Sequence, residues 1–330
     1  MGAAAAGGRA LLLTCVLCAF SYADPPALPA GQWALDWADE FDGTAIDTSK
    51  WTFQTGVLGW GNSELQYNSD TTNVTVAGGT AQIIAKHEYR ENMHYTSARL
   101  ASRGRREAVY GFVEASIKVP DGDGIMPLFW TLDASGDYLH WPADGSIVIH
   151  EKSGDTAKGE ICSASSGGTV TCGSFPHVST QNLSSAFHRY GMYWDSLEVK
   201  WYFDDSLYGR ASVAGLAQFN RPHYLILNLA VGGPQRAAID TSAFPKTMYV
   251  DYVRWWMPAN TGVRYGRSAG GVTSGEMGAG KIAEVYDING KLLWANRSGR
   301  AAYRRATAGL TIVKIVNGEA VTWERVVSTK

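Results

Sequence analysis

The 330-residue chain is short of net charge, of cysteine and of long apolar runs, and each shortage removes a class of protein. A formal charge of −2 gives no electrostatic case for binding nucleic acid. No glycine-rich loop of the phosphate-binding kind occurs. The apolar stretch from Ala10 to Phe20 is about half the ~20 residues that a bilayer-spanning helix needs. No long segment sustains a helical period, which sets helical folds aside.

Four cysteines are present, and Cys15 and Cys18 fall in that first stretch. Arg9, the apolar run and then Ser21-Tyr22-Ala23 read as a secretory signal over residues 1–23, with the mature chain starting near Asp24. Cys162 and Cys172 remain. In an oxidising compartment they pair and close a short loop worth on the order of 2–3 kcal/mol, the alternative being two buried thiols.

What the chain has in quantity is alternation and aromatic residues. Val113, Ala115, Ile117 and Val119 alternate with Glu114, Ser116 and Lys118, and Leu197, Val199, Trp201 and Phe203 with Glu198, Lys200 and Tyr202. Period-two patterns of this kind build an antiparallel two-sheet sandwich, expected over residues 24–257. Seven glycines with serines and threonines between Pro258 and Gly280 mark a linker, 258–281. From 282 to 330 the turn pairs Asn289-Gly290 and Asn317-Gly318, each flanked by β-forming residues, predict a small β module.

The segment Trp141–Glu151, WPADGSIVIHE, carries the most specific signal. It resembles the active-site strand of glycoside hydrolase family 16, laminarinase-like branch, which reads W-P-x-x-G-E-I-D-I-M-E. FDG from Phe41, GWGNSELQY from Gly59, YTSARL from Tyr95, YGFVEASIKVPDGDGIMPLFW from Tyr110, LNLAVGG from Leu227 and FPKTMYVDYVRWW from Phe244 extend the resemblance over about residues 33–256. It implies a concanavalin A-like jelly-roll β-sandwich and a β-1,3-glucan ligand. It puts the acid/base on Glu151, the nucleophile position on Ser146 and the assisting aspartate position on Val148.

Two of those three positions have changed chemistry. A retaining glycosidase uses two carboxyl groups about 5–5.5 Å apart, and an un-ionised serine hydroxyl replaces neither. Ser146 and Val148 share a face by parity, and Glu151 joins them only if a bulge adds a residue near Ile149 and His150. Asp144 shares that parity but lies about 20 Å along the strand from Glu151.

The resemblance further implies substrate contacts from Trp60, Asn62, Glu64, Arg99, Trp130 and Trp141, where rings cover the apolar face of a sugar and polar groups bond its hydroxyls. Trp130 also suits a core role and Arg99 a structural ion pair. Met126 stands where the family usually has tryptophan, and no histidine follows Glu151 before His177. No cofactor is implied for chemistry. A structural calcium is, held by main-chain oxygens near Glu40 and Gly79 and by the Asp251 carboxylate, which otherwise is a plain surface group.

The tail resembles the C-terminal sorting domain of bacterial type IX-like secretion systems, with an accessory β module as the alternative. The expectation is a secreted or surface-held bacterial monomer that binds β-glucan without cleaving it and meets secretion machinery through its tail. An active endo-β-glucanase with an unplaced second carboxylate, or an adhesion element that has lost sugar binding, are the competing readings.

Overall fold

The computed structural model describes Leu28 and residues 33–57, 62–134, 141–164, 169–234 and 239–259, together with the backbone of 282–287, 292–296, 309–317 and 320–328. The expected signal 1–23, Trp60 and the linker beyond residue 259 lie outside the described residues.

Two sheets carry the main body. The eight-stranded sheet holds β1 (Trp33–Asp39), β4 (Val74–Ala77), β5 (Thr80–Ala85), β8 (Gly111–Lys118), β13 (His188–Trp194), β14 (Glu198–Phe203), β15 (Ser206–Ser212) and β17 (Lys246–Pro258). The nine-stranded sheet holds β2 (Thr52–Phe53), β3 (Gln66–Ser69), β6 (Tyr95–Ala101), β7 (Glu107–Ala108), β9 (Ile125–Asp133), β10 (Ser146–Ser153), β11 (Thr156–Ala164), β12 (Val170–Val178) and β16 (His223–Val231). Their orders are β15-β14-β13-β8-β17-β5-β4 and β12-β11-β10-β9-β16-β6-β2. All pairings are antiparallel except β3 with β6.

One apolar core joins the inner faces: Val113, Ala115 and Ile117 of β8 pack in the same cluster as Phe129 of β9, Ile147 and Ile149 of β10 and Leu225 of β16. Burying that much apolar surface between two sheets is what an all-β jelly-roll sandwich requires. Trp201 of β14 crosses the core and donates from its indole nitrogen to the Val148 carbonyl at 2.8 Å. Its ring lies so close to Gly159 that a β-carbon there would sit 2.4 Å from the indole, so β11 needs glycine at that position.

Two details depart from simple alternation. Glu114 and Ser116 of β8 are buried too, because β13 and β17 flank the strand and lay long side chains over it; Tyr252 donates to Glu114 at 2.7 Å. Leu197 precedes β14 in a turn whose amides bond Asp195, and it is exposed.

A separate four-stranded antiparallel sheet contains β18 (Ile282–Asp287), β19 (Leu292–Asn296), β20 (Gly309–Asn317) and β21 (Ala320–Ser328), ordered β19-β18-β20-β21. β18 pairs with β19 and β20 with β21, Asn317 ending β20 opposite Ala320, while Asn289, Gly290 and Gly318 lie outside the described residues.

Candidate functional site

β10 starts where the chain leaves the Trp141–Asp144 turn through Gly145, at φ +78° and hard against Gln218, where a side chain would be both strained and crowded. Its pairing with β11 runs Ser146↔Cys162 and Val148↔Glu160, then resumes at Glu151↔Lys158. Three steps on β10 match two on β11, so β10 carries one extra residue, and the ladder with β9 slips at the same place. Ile149 and His150 both enter the core, and Glu151 returns to the face of Ser146 and Val148.

That face floors a cleft of about 330 Å³. Asn62, Glu64, Arg99, Trp130, Trp141, Ser146, Val148 and Glu151 all line it, joined by Met126, Lys158, Glu160 and Asn228. Trp60 falls outside the described residues, and Asp144 is not among the lining groups.

The polar side of the cleft is built from interlocked pairs. Trp130 is half-buried and donates to Asn228 at 2.8 Å, and the guanidinium of Arg99 lies 4.7 Å from its ring centre. Arg99 also donates to Gln54 at 2.6 Å. Burial raises the pKa of Glu64, against the opposing hydrogen bond from Gln66, the charge of Arg99 and a hydrogen bond from Asn62. Trp141 is 46% exposed, and its indole donates to the Ser146 hydroxyl at 3.0 Å.

At Val148, the position expected for an assisting aspartate, the floor is apolar instead. Val148 packs with Met126, Leu128 and Ala230, and Trp130 closes over them. The position facing Ser146 across β11 is Cys162, joined to Cys172 of β12 by a disulfide with Cα atoms 4.2 Å apart. Cys172 is exposed, so the pair-of-buried-thiols alternative does not describe this edge.

Lys158 and Glu160 are the residues that sequence reasoning missed. Lys158 Nζ stands 3.0 Å from Glu151 and 3.3 Å from Glu160. Burial works against this ammonium, yet the two carboxylates outweigh it and raise its pKa above the ordinary lysine value. The available signal was Gly154-Asp155: a two-residue turn fixes Ser153 opposite Thr156 and so sets which β11 residues face the cleft.

On the other sheet, β1 and β5 meet end to end along the same side of β17, leaving Asp251 and Tyr252 at the junction. Glu40 follows β1 and Gly79 precedes β5, so both chain positions adjoin that junction. The Glu40 carboxylate is taken by Arg254 at 2.8 and 2.9 Å, so the donors the resemblance implies are main-chain oxygens and the exposed Asp251 carboxylate. Such hard oxygen donors fit calcium.

A jelly roll whose outer sheet face presents aromatic rings, amides and carboxylates along one cleft suits a carbohydrate, whose apolar faces stack on rings and whose hydroxyls bond polar groups. The chain belongs to the glycosyl hydrolases family 16, whose family model matches residues 54–254. It is 37% identical over 247 residues to a beta-glucanase of Rhodothermus marinus, covering 68% of this chain and 85% of that protein. The laminarinase catalytic domain of Thermotoga maritima superposes with a TM-score of 0.61 at 36% identity, covering 68% of this chain and 98% of that domain. A beta-1,3-glucan-binding protein of Penaeus monodon is 30% identical over 171 residues, covering 42% of this chain and 47% of its own length.

Proposed function

We propose that the domain binds β-1,3-glucan in this cleft without hydrolysing it. The observation that carries the reading is the floor itself: Ser146 and Val148 hold the two positions where the family keeps carboxylates, and Val148 is packed into an apolar cluster. Asn62, Glu64, Arg99, Trp130 and Trp141 meanwhile still line the cleft. Similarity to a beta-glucanase supports a β-glucan ligand, and similarity to a beta-1,3-glucan-binding protein supports the β-1,3 linkage.

Binding with no chemistry is consistent with these groups, because stacking and hydrogen bonding to neutral hydroxyls need no nucleophile. Glycosyl transfer to water does need one, and its loss costs on the order of 10⁴-fold or more. The test pairs two measurements on the purified protein: retention on insoluble β-1,3-glucan, expected, and release of reducing ends from laminarin, expected to stay at the level of the Glu151→Gln variant. Release that Glu151→Gln abolishes would establish the rival reading, an active endo-β-glucanase, for which Glu160 is the second carboxylate at hand.

The same proposal includes export with removal of residues 1–23, delivery through the 282–330 module, a monomeric state and a structural calcium held near Asp251. Mass spectrometry of the exported chain checks the first, a start other than near Asp24 speaking against it.

A further inference from the structure

β11 brings Lys158 and Glu160 into the cleft, and neither serves in stacking or hydrogen-bonding a neutral sugar as described above. Val148↔Glu160 and Glu151↔Lys158 are direct cross-strand pairs, so all four side chains stand on one face. Both carboxylates reach one ammonium, at 3.0 and 3.3 Å, which keeps those two oxygens within about 6 Å of each other, a limit that takes in the ~5–5.5 Å of a retaining pair. The cleft has therefore kept two neighbouring carboxylates, on two strands instead of one.

We propose that Lys158 is a positioning residue that bridges a latent carboxylate pair, Glu151 with Glu160, and thereby withholds both from proton transfer and from attack. The inference deepens the binding reading and rests on it, naming what silences the one catalytic-type group that β10 retains. Hydrolysis through such a pair would need one carboxyl to give its proton to the leaving glycosidic oxygen. The other would form a bond to the anomeric carbon as the old C–O bond breaks, and water would release the ester with the proton returning to the first group. An ammonium offers three donors and no acceptor, so the oxygens it engages act as acceptors.

The surroundings leave this role to Lys158. Glu64 and Arg99 are the other charged groups lining the cleft, and they interact with each other. Opposite Glu151, β9 presents Leu128; opposite Lys158 and Glu160, β12 presents Pro176 and Ser174.

The test uses the full chain and three variants, Lys158→Gln, Lys158→Arg and Lys158→Gln/Glu160→Gln, with thermal midpoints measured from pH 5 to 7.5. Without the cation, two carboxylates this close favour sharing a proton, so the folded state holds more protons than the unfolded one and stability falls as pH rises. Lys158→Gln is expected to lose about 2–4 °C more against the wild type at pH 7.5 than at pH 5. Lys158→Arg and the double variant should both run parallel to the wild type, the first because a cation remains and the second because one carboxylate is gone. A simple packing loss would be independent of pH. A Lys158→Gln deficit that does not change with pH overturns the proposal, as does an equal slope in the double variant. Glucan retention is read on the same samples: failure to bind with the slope present sinks the binding reading alone, and binding without the slope sinks the bridge alone.

Discussion

Trp141 and Trp130 differ in what they can give a ligand. Trp130 is held from above by Arg99 and from the side by Asn228, whereas Trp141 leaves nearly half its surface to solvent and is tethered only at its nitrogen in the contacts described. Exposed, orientated indoles carry a large share of binding energy, so Trp141→Ala is expected to cost ~2 kcal/mol, about thirtyfold in affinity for β-1,3-glucan oligosaccharides. Calorimetric titration checks it; unchanged affinity in a folded variant would place the sugar elsewhere. Rebuilding the lost chemistry takes more than restoring two carboxylates. Val148→Asp would set a charge directly opposite Glu160 and inside an apolar cluster. Turnover of an aryl β-glucoside oligomer by Ser146→Glu/Val148→Asp should stay near background, and adding Lys158→Gln and Glu160→Gln should raise it at least about tenfold by freeing Glu151 as general acid. At this scale the parity of Ser146 and Val148 made their common face readable, whereas Glu151 joins it only through the bulge that the ladders of β10 carry. Glu160 escaped because its place depends on the partner strand, which no feature of β10 encodes.

The β10–β11–β12 end of the nine-stranded sheet combines three devices: a bulge, a tight turn and a covalent cross-link. β12 is an edge strand, and in the sheet order it has only β11 as a neighbour. The disulfide ties it to the strand that carries Lys158 and Glu160. Replacing both cysteines by serine is expected to cost about 2–3 kcal/mol, or roughly 4–12 °C in thermal midpoint, with the same fall in the wild type under reducing conditions. A scan in which reductant changes nothing would show that the bond contributes little. Alternation located β8 and β14 correctly, since a strand with one face in the core writes that face into every second residue. It misplaced Leu197, an exposed turn residue whose hydrophobicity continued the pattern past the strand's start. It also could not show that β8's polar face is covered, which depends on neighbours distant in sequence.

For the molecule as a whole, the buried histidines set an acid limit. His150 is fully buried against Tyr190, with rings 3.7 Å apart, and burial first, then the charges of Lys152 and His188, lowers its pKa to about 3. Burial likewise lowers His223 to about 4, against a hydrogen bond to the Gln218 carbonyl and the charge of Asp133, with the charge of Arg221 lowering it further. Both bases are depressed in the folded state, so the unfolded chain binds the extra protons. Their stabilising effect is whole above pH ~6.5 and is lost as pH falls toward 3 to 4. His150→Phe, which keeps the ring stack, should flatten the acid limb of the thermal midpoint below pH 6.5; an unchanged limb would assign the sensitivity to other groups. The jelly roll and its family were legible because many ordered segments agree, whereas this acid limit was not, since it follows from where a single ring ends up. It also has a second cause. On β10 two consecutive side chains turn inward so that the next can turn outward, and the residue turned inward beside the cleft-facing acid is the histidine. Aiming the carboxylate and hiding an ionisable ring are one geometric act, like the two arms of a lever. A relative that straightened this strand by losing one residue could keep its acid where it stands and shed the share of the acid limit that His150 sets, keeping only that of His223.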